Sequence, residues 1–177
     1  VTGGSKVNRF LQVCDIFNVP IVFLADEPGF LVGLDSEKQG IERAGARLMS
    51  TICLSKMPIF TVIISKVYGV AGQCSHRPTG MFKRICWPSS NWGSMHISGG
   101  VTAAYKSEIE QSNDPEAKKI EIETRLKNIT SPFRTAETTG QNIIDPRETR
   151  SHICSFLERS QRVLKRQVGT SRFLFLP

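Results

Sequence analysis

Long apolar runs are missing from this 177-residue chain. None approaches the roughly 20 residues that a membrane helix needs, so a membrane-spanning role is set aside. Val1 to Phe10 show no charged-then-apolar signal pattern. The five cysteines, Cys14, Cys53, Cys74, Cys86 and Cys154, include no C-x-x-C pair. An odd and scattered set argues against a disulfide framework and against a zinc site, and no metal is expected. Thiols kept reduced imply a cytoplasmic setting, or the mitochondrial matrix if the source is eukaryotic. There is no P-loop and no G-x-G-x-x-G fingerprint. His76, His96 and His152 are the only histidines, and no two share helical spacing, so no catalytic triad announces itself. His152 reads as a surface or interface residue and His96 as a local hydrogen-bonding one. Acidic residues are short relative to basic ones, 16 against 23, which leaves a net charge of +7. The excess gathers late in the chain, at Arg147, Arg150, Arg159, Arg162, Lys165, Arg166 and Arg172. No basic-aromatic alternation or reader motif accompanies it, so nucleic-acid binding is not expected. A solvated helix face, or a surface for a phosphate-bearing ligand or an acidic partner, is the simpler reading.

What is present organises itself around Met57 to Gln73. Pro58 to Ile64 holds three Ile and a Val and no charge, the pattern of a strand buried on both faces in a parallel sheet. Tyr68-Gly69-Val70-Ala71-Gly72 then breaks the strand with small residues. Two readings of that break stay open. Successive backbone N–H groups there make an oxyanion hole, or the segment is an ordinary tight turn after a core strand. Upstream, Val7, Phe10, Leu11, Cys14 and Phe17 fall at helical spacing over Ser5 to Asn18, and Val19 to Leu24 reads as a strand. Asp26-Glu27-Pro28-Gly29-Phe30 ends it with turn residues. That acidic pair suits acid–base work or a turn equally. Ser36 and Gln39 fit a capping box opening a helix at Asp35. Ile41, Ala44, Leu48 and Ile52 carry that helix to about Lys56. Helix, X-Pro-Ile, strand and glycine turn thus occur twice, around Pro20 and around Pro58. Such a repeat implies right-handed crossovers, adjacent parallel strands, and both turns on one sheet edge, where ligands of α/β folds collect.

Cys74 to Arg84 is polar and irregular, followed by the apolar piece Ile85 to Pro88. Trp92 to Ile97 suggests another short strand. A turn at Ser98-Gly99-Gly100 leads into a helix from Val101 to about Ile109. Asp114-Pro115 opens a charged helix through about Asn128. Ser131-Pro132-Phe133 interrupts it, Thr135 to Gly140 forms a short helix, and Asn142 to Ile144 a short strand. Asp145-Pro146-Arg147-Glu148 is the clearest helix start, with Ile153, Phe156, Leu157 and Leu164 as the apolar stripe that follows. The apolar tail Phe173 to Pro177 suggests docking on a core or a partner.

Taken in register, the motifs resemble one family. Arg9-Phe10 with Cys14-Asp15-Ile16-Phe17-Asn18-Val19-Pro20 resembles the R-F-x-x-x-C-D-x-F-N-x-P segment of the carboxyltransferase (β) subunits of biotin-dependent acyl-CoA carboxylases, of the acetyl- and propionyl-CoA type. Asp26 to Phe30 resembles D-x-P-G-F, and Lys66 to Ala71 resembles K-A-Y-G-G-A. Trp87-Pro88, Asp114 to Lys118, and Ser131-Pro132-Phe133 resemble W-P, D-P-E-A-K and N-P-Y. Ile144 to Arg150 resembles the closing I-x-P-R-E-T-R. The seven matches run nearly the length of the chain, in order.

The resemblance implies an α/β, crotonase-like fold of repeated ββα units. It implies that residues 1–177 are a single domain equivalent to the C-terminal, biotin-side half, with the N-terminal acyl-CoA half outside this sequence. The implied function is transfer of CO2 from carboxybiotin to the α-carbon of an acyl-CoA. In that chemistry the biotin ureido group supplies the base, and protein groups mainly hold two oxyanions. By resemblance the biotin-side oxyanion hole is the backbone of Val70 and Ala71. Gln73 stands at the substrate-selecting position, where the family is often acidic. Gly29, Phe30, Gly69, Gly72, Gly99 and Gly100 are the supporting turns. Val70 replaces the family's glycine, and His96 falls where glycine is frequent. Implied partners are a biotin carboxylase or biotin carboxyl carrier subunit, an N-terminal carboxyltransferase half, and further copies in a dimer or trimer of dimers. Two other readings remain at this point: a biotin-dependent acyl-CoA decarboxylase subunit, and a non-catalytic assembly half-domain.

Overall fold

The computed structural model describes residues 1–74 and 79–169, the side chains of Gln73, Cys74 and Ser98 aside. His76, Arg172 and the apolar tail lie outside the described residues. Helix α1 (Thr2–Ile16) turns Val7, Leu11 and Cys14 inward at helical spacing. Asn18, with φ of 56°, takes the left-handed conformation that ends it. Strand β1 (Ile21–Glu27) follows. Helix α2 (Leu34–Lys38) is short, and α3 (Ile41–Leu54) starts anew after Gly40, whose φ is 77°. Strand β2 (Ile59–Tyr68) runs directly into α4 (Gly69–Cys74).

Beyond the undescribed gap come β3 (Phe82–Cys86), β4 (Asn91–Gly93), α5 (Ile97–Ala104) and α6 (Lys106–Glu110). Helix α7 (Pro115–Ile129) is capped by the Asp114 carboxylate, which accepts from the Ala117 N–H at 3.0 Å. Then come α8 (Pro132–Thr139) and β5 (Asn142–Ile143). A 3-10 turn (Pro146–Glu148) leads into α9 (Thr149–Gln167). Asp145 accepts from the Arg147 N–H at 2.9 Å, the acidic start expected there. The Arg147 guanidinium beside it also holds the Asp145 carboxyl below its usual range.

The described strands form one parallel sheet in the order β1-β2-β3-β5, with β4 continuing alongside the far end of β2. Central β2 is buried on both faces, as its β-branched run predicts. Ile59 packs toward α1 and α3 with Leu11, Ile52 and Met57. Phe60 and Val62 face the opposite side, with Ile85 and Phe156 of α9. The Phe60 and Phe156 rings sit 5.1 Å apart. Asp15, at the end of α1, ties these layers together. Its carboxylate accepts from the Ser55 hydroxyl at 3.1 Å and the Lys56 N–H at 3.0 Å. Ser55 in turn accepts from the Met57 N–H at 3.2 Å. The Cys14-Asp15 motif is therefore structural: it clamps the connection that feeds β2.

Several expectations are corrected. Asp26 and Glu27 belong to β1 and not to a turn; pairing of Glu27 with Val67 extends the strand past Leu24. Gly33, not Ser36, precedes α2, no side chain caps it, and the helix expected through Lys56 is broken at Gln39-Gly40. The glycine segment after β2 is the first turn of α4 and not a loop. Gly99 and Gly100 lie inside α5, which starts at Ile97, so the strand expected to that residue stops at Gly93. The helix drawn to Ile109 breaks at Tyr105. The expected interruption falls at Thr130 and Ser131, between α7 and α8, but proline at a first helical turn loses no hydrogen bond, so α8 starts at Pro132 and not at Thr135.

Candidate functional site

The parallel strands place their C-terminal ends together, and a cavity of about 560 Å³ opens at the ends of β2 and β4. This is the edge where open α/β sheets gather ligands. Gly69 and Val70 form its floor, at the junction of β2 with α4. Gly69 has φ of 61°, and a Cβ there would approach the Ser94 carbonyl oxygen at 3.4 Å. Only glycine makes that junction without strain. Gly72, one turn on, seats α4 against β2, since a Cβ there would come within 2.5 Å of Val67 Cγ1.

One wall comes from Trp92 and Gly93 of β4 with Ser94, Met95 and Ile97. The Trp92 N–H donates to the Thr130 carbonyl at 3.1 Å, which docks β4 on the end of α7. The Arg84 guanidinium lies 4.2 Å from the Trp92 ring centroid, a cation–π contact that holds the indole in place. Arg84 also hydrogen bonds to Gln141. Behind the floor, Tyr68 meets His96 edge to face at 6.0 Å, and burial pushes the Tyr68 phenol above its usual range.

The opposite wall is Leu126 and Ile129 from α7, Thr130 at its C-terminal cap, and Arg134, Thr135, Thr138 and Thr139 from α8. The four threonines spend their hydroxyl protons on carbonyls of their own segments: Lys127, Ser131, Arg134 and Thr135. They therefore turn methyl groups and acceptor lone pairs outward. Arg134 is the only charged side chain among the described lining residues. No cysteine, histidine or carboxylate is among the described lining residues.

Of the expected site residues, Val70 lines the cavity and is 53% exposed, whereas Ala71 is 7% exposed with its methyl group inside. Their N–H groups belong to the first turn of α4, whose amides have no acceptor within the helix. Gln73 sits in the last turn of α4, its side chain outside the described set. Gly29, with φ of 128°, and Phe30 lie away from the cavity. The Phe30 ring packs on α3, where a Cβ at Gly45 would come within 2.5 Å of it. Gly99 and Gly100 support the wall from within α5, where Gly100 leaves room for the Met95 side chain. The acidic pair divides. Asp26 accepts from the Lys66 N–H at 3.0 Å, while half-buried Glu27 has its carboxyl pushed above the usual range by burial. Neither lines the cavity. Sequence reasoning missed the α8 wall entirely, although Arg134, Thr135, Thr138 and Thr139 carry the i, i+4 spacing of a single polar helix face.

Residues 2–170 match the carboxyl transferase domain family. The chain is 33% identical over 160 residues, 89% of its length, to the propionyl-CoA carboxylase carboxyltransferase subunit of Haloferax mediterranei. It is 33% identical over 162 residues, again 89% of its length, to the methylmalonyl-CoA carboxyltransferase 12S subunit of Propionibacterium freudenreichii subsp. shermanii. A crystal structure of a transcarboxylase 12S hexamer, with methylmalonyl-CoA and methylmalonic acid bound, superposes with a TM-score of 0.77 at 33% identity. That match covers 90% of this chain and 31% of the other. The chain likewise spans 31% of the length of these curated relatives.

Proposed function

The chain belongs to the carboxyl transferase domain family, and from that premise we propose that it is part of a biotin-dependent acyl-CoA carboxyltransferase. It moves CO2 between biotin and the α-carbon of an acyl-CoA. Within that enzyme it acts as the C-terminal, biotin-side half, and an N-terminal half brings the acyl-CoA. Its partners are that half, a biotin carboxylase or biotin carrier subunit, and further copies of itself.

One observation carries the reading: the cavity at the strand ends joins the Val70 segment to apolar walls and has no acid–base side chain among its described lining residues. A hydrolase or isomerase working through side-chain bases needs such a group in reach. A carboxyl transfer in which the cofactor brings its own base does not. The cavity suits biotin in size, since small-ligand pockets run from about 300 to 1,000 Å³. Its apolar walls suit the bicyclic ring, and the Val70 and Ala71 amides suit the ureido oxygen. When bound, carboxybiotin supplies both the CO2 and the base.

The residues of this chain then have defined tasks. The Val70 and Ala71 N–H groups hold negative charge on an oxygen, and β2 fixes their direction. Trp92, Met95 and Ile97 exclude water, which strengthens those hydrogen bonds. Gly69 allows the strand to end directly beneath the bound group.

An acyl-CoA panel with a biotinylated carrier protein, assayed with and without a candidate N-terminal half, tests the reading. Formation of a carboxylated acyl-CoA only when both halves are present is the expected result. Equal turnover in the absence of biotin overturns it. The same panel run from the carboxylated thioester reports the favoured direction.

A further inference from the structure

We propose that Arg134 is the anion-reading residue of the cavity and selects a ligand that presents one carboxylate beside an apolar body. The proposal rests on the carboxyltransferase reading for the identity of that ligand, but not for the existence of the site. Three features lead to it. Arg134 lines the cavity together with Val70 and is the only charged side chain among the described lining residues. Its guanidinium has no ion pair or hydrogen bond among the described residues, so it is free to meet a ligand. The threonines of the same wall have committed their protons to the backbone, so their hydroxyls repel an anion's oxygens more than they bind them. An incoming carboxylate therefore has one side-chain cation to meet on this wall. The planar guanidinium fork receives both of its oxygens at once. Leu126, Ile129 and Met95 offer the rest of the ligand an apolar surface.

The shared chemistry is a carboxylate on a small apolar frame. It has two sources in the proposed reaction: the carboxyl group on the biotin ureido nitrogen and the carboxyl group of the carboxylated acyl thioester. Arg134 also sits on exposed helix α8 and not in the core, so its replacement leaves the fold intact.

The test is ligand binding followed by Trp92 emission in the full chain carrying Trp87→Phe, so that the one remaining tryptophan is the one lining the cavity. Four probes without phosphate groups are compared: methylmalonyl-N-acetylcysteamine, propionyl-N-acetylcysteamine, biotinamide and freshly prepared 1′-carboxybiotinamide. We expect at least one carboxylated probe to bind about tenfold or more tighter than its uncarboxylated counterpart, as a charge-assisted pair implies. Arg134→Gln removes that preference, Arg134→Lys restores part of it, and added salt weakens it. A response to the acyl probe alone assigns the carboxylate to the acyl group, and a response to carboxybiotinamide alone assigns it to biotin. Either result supports the proposal. Equal binding of carboxylated and uncarboxylated probes, or an Arg134→Gln chain that keeps the preference, overturns it. If the preference holds while the assembled enzyme transfers no CO2, the carboxyltransferase reading fails and the anion site stands. If transfer proceeds with unchanged KM in Arg134→Gln, the reverse is true.

Discussion

At the scale of single residues, Val70 and Ala71 divide the work of one short segment. Val70 replaces a glycine of the resembling family, yet its side chain is half exposed and the N–H donor survives. Ala71 is buried, so its side chain anchors the turn while its amide remains a donor. Proline at position 71 removes that donor and restricts the residue before it. Loss of one oxyanion donor lowers rate by about 100- to 1,000-fold. In the assembled enzyme we expect Ala71→Pro to lose at least that much turnover, Ala71→Gly to lose far less, and Gln73→Ala to re-rank the acyl-CoA substrates. Steady-state kinetics, with thermal unfolding as the control for folding, separates these outcomes; a folded Ala71→Pro enzyme at normal rate reduces the segment to a mere connection. Glu27 supports a second prediction. Burial raises its folded pKa above the unfolded value, so the folded state holds the proton more tightly. Its stabilising contribution is complete below the unfolded carboxyl pKa and is lost as pH rises through the folded one. Urea midpoints of the chain and of Glu27→Gln, taken from acidic to neutral pH, should diverge, with the variant gaining as pH rises. Parallel curves refute the assignment.

Among elements, β2 carries the fold. Its two faces join two core clusters, and its C-terminus delivers the site. Phe60 is fully buried against Phe156, so β2 and α9 lean on one aromatic contact. Truncating such a side chain to alanine costs about 3–5 kcal/mol, because a cavity remains. Phe60→Ala should therefore shift the urea midpoint by an amount equivalent to a loss of that size, whereas Phe133→Ala, exposed on α8, should change it little. Equal effects would show that the contact does not organise the layers. Helix α9 also explains the late cluster of basic residues. Phe156, Ser160 and Leu164 face inward, and Arg150, Arg159, Arg162, Lys165 and Arg166 share the solvent side. The charge is the outer face of an amphipathic helix.

For the whole molecule, what matters is what this chain leaves uncovered. Strand β1 is an outer strand of the described sheet. Val22 and Leu24 on it are exposed, Leu24 by 62%, and Phe10 and Phe17 of the α1 segment are exposed too, Phe17 by 72%. Apolar surface along an open strand edge is a place for association. We expect the chain to self-associate or to bind a carboxyltransferase N-terminal half, and sedimentation velocity at micromolar concentration checks this; a strictly monomeric species that ignores the other half refutes it. We also expect negligible carboxyl transfer by the 177-residue chain alone. The relatives it matches are about three times its length, and the acyl-CoA side of the site is proposed to lie in the other half. Strong methylmalonyl-CoA or malonyl-CoA formation by the purified chain is the contrary result.

Legible in the sequence were the layered class, the buried central strand, the parallel pairing of β1 with β2, and the starts of α7 and α9. Those features follow from local causes: β-branched runs, helical spacing of apolar residues, and Asp-Pro caps whose bonds span two or three residues. The motifs in register also led to the family. Tertiary structure alone decided where the small-residue segments went. Gly99 and Gly100 lie inside α5, where Met95 packs against the space that Gly100 leaves, and Asp26-Glu27 is strand because β2 runs alongside to Val67. The Ser36-Gln39 pattern lost to a break at Gly40. Half of the cavity was equally hidden. The α8 wall meets Val70 through long-range contacts, among them the Trp92 amide that docks β4 on the end of α7. A contact between residues nearly forty positions apart leaves no trace in local composition, so Arg134 became visible as part of a site only once the chain was folded.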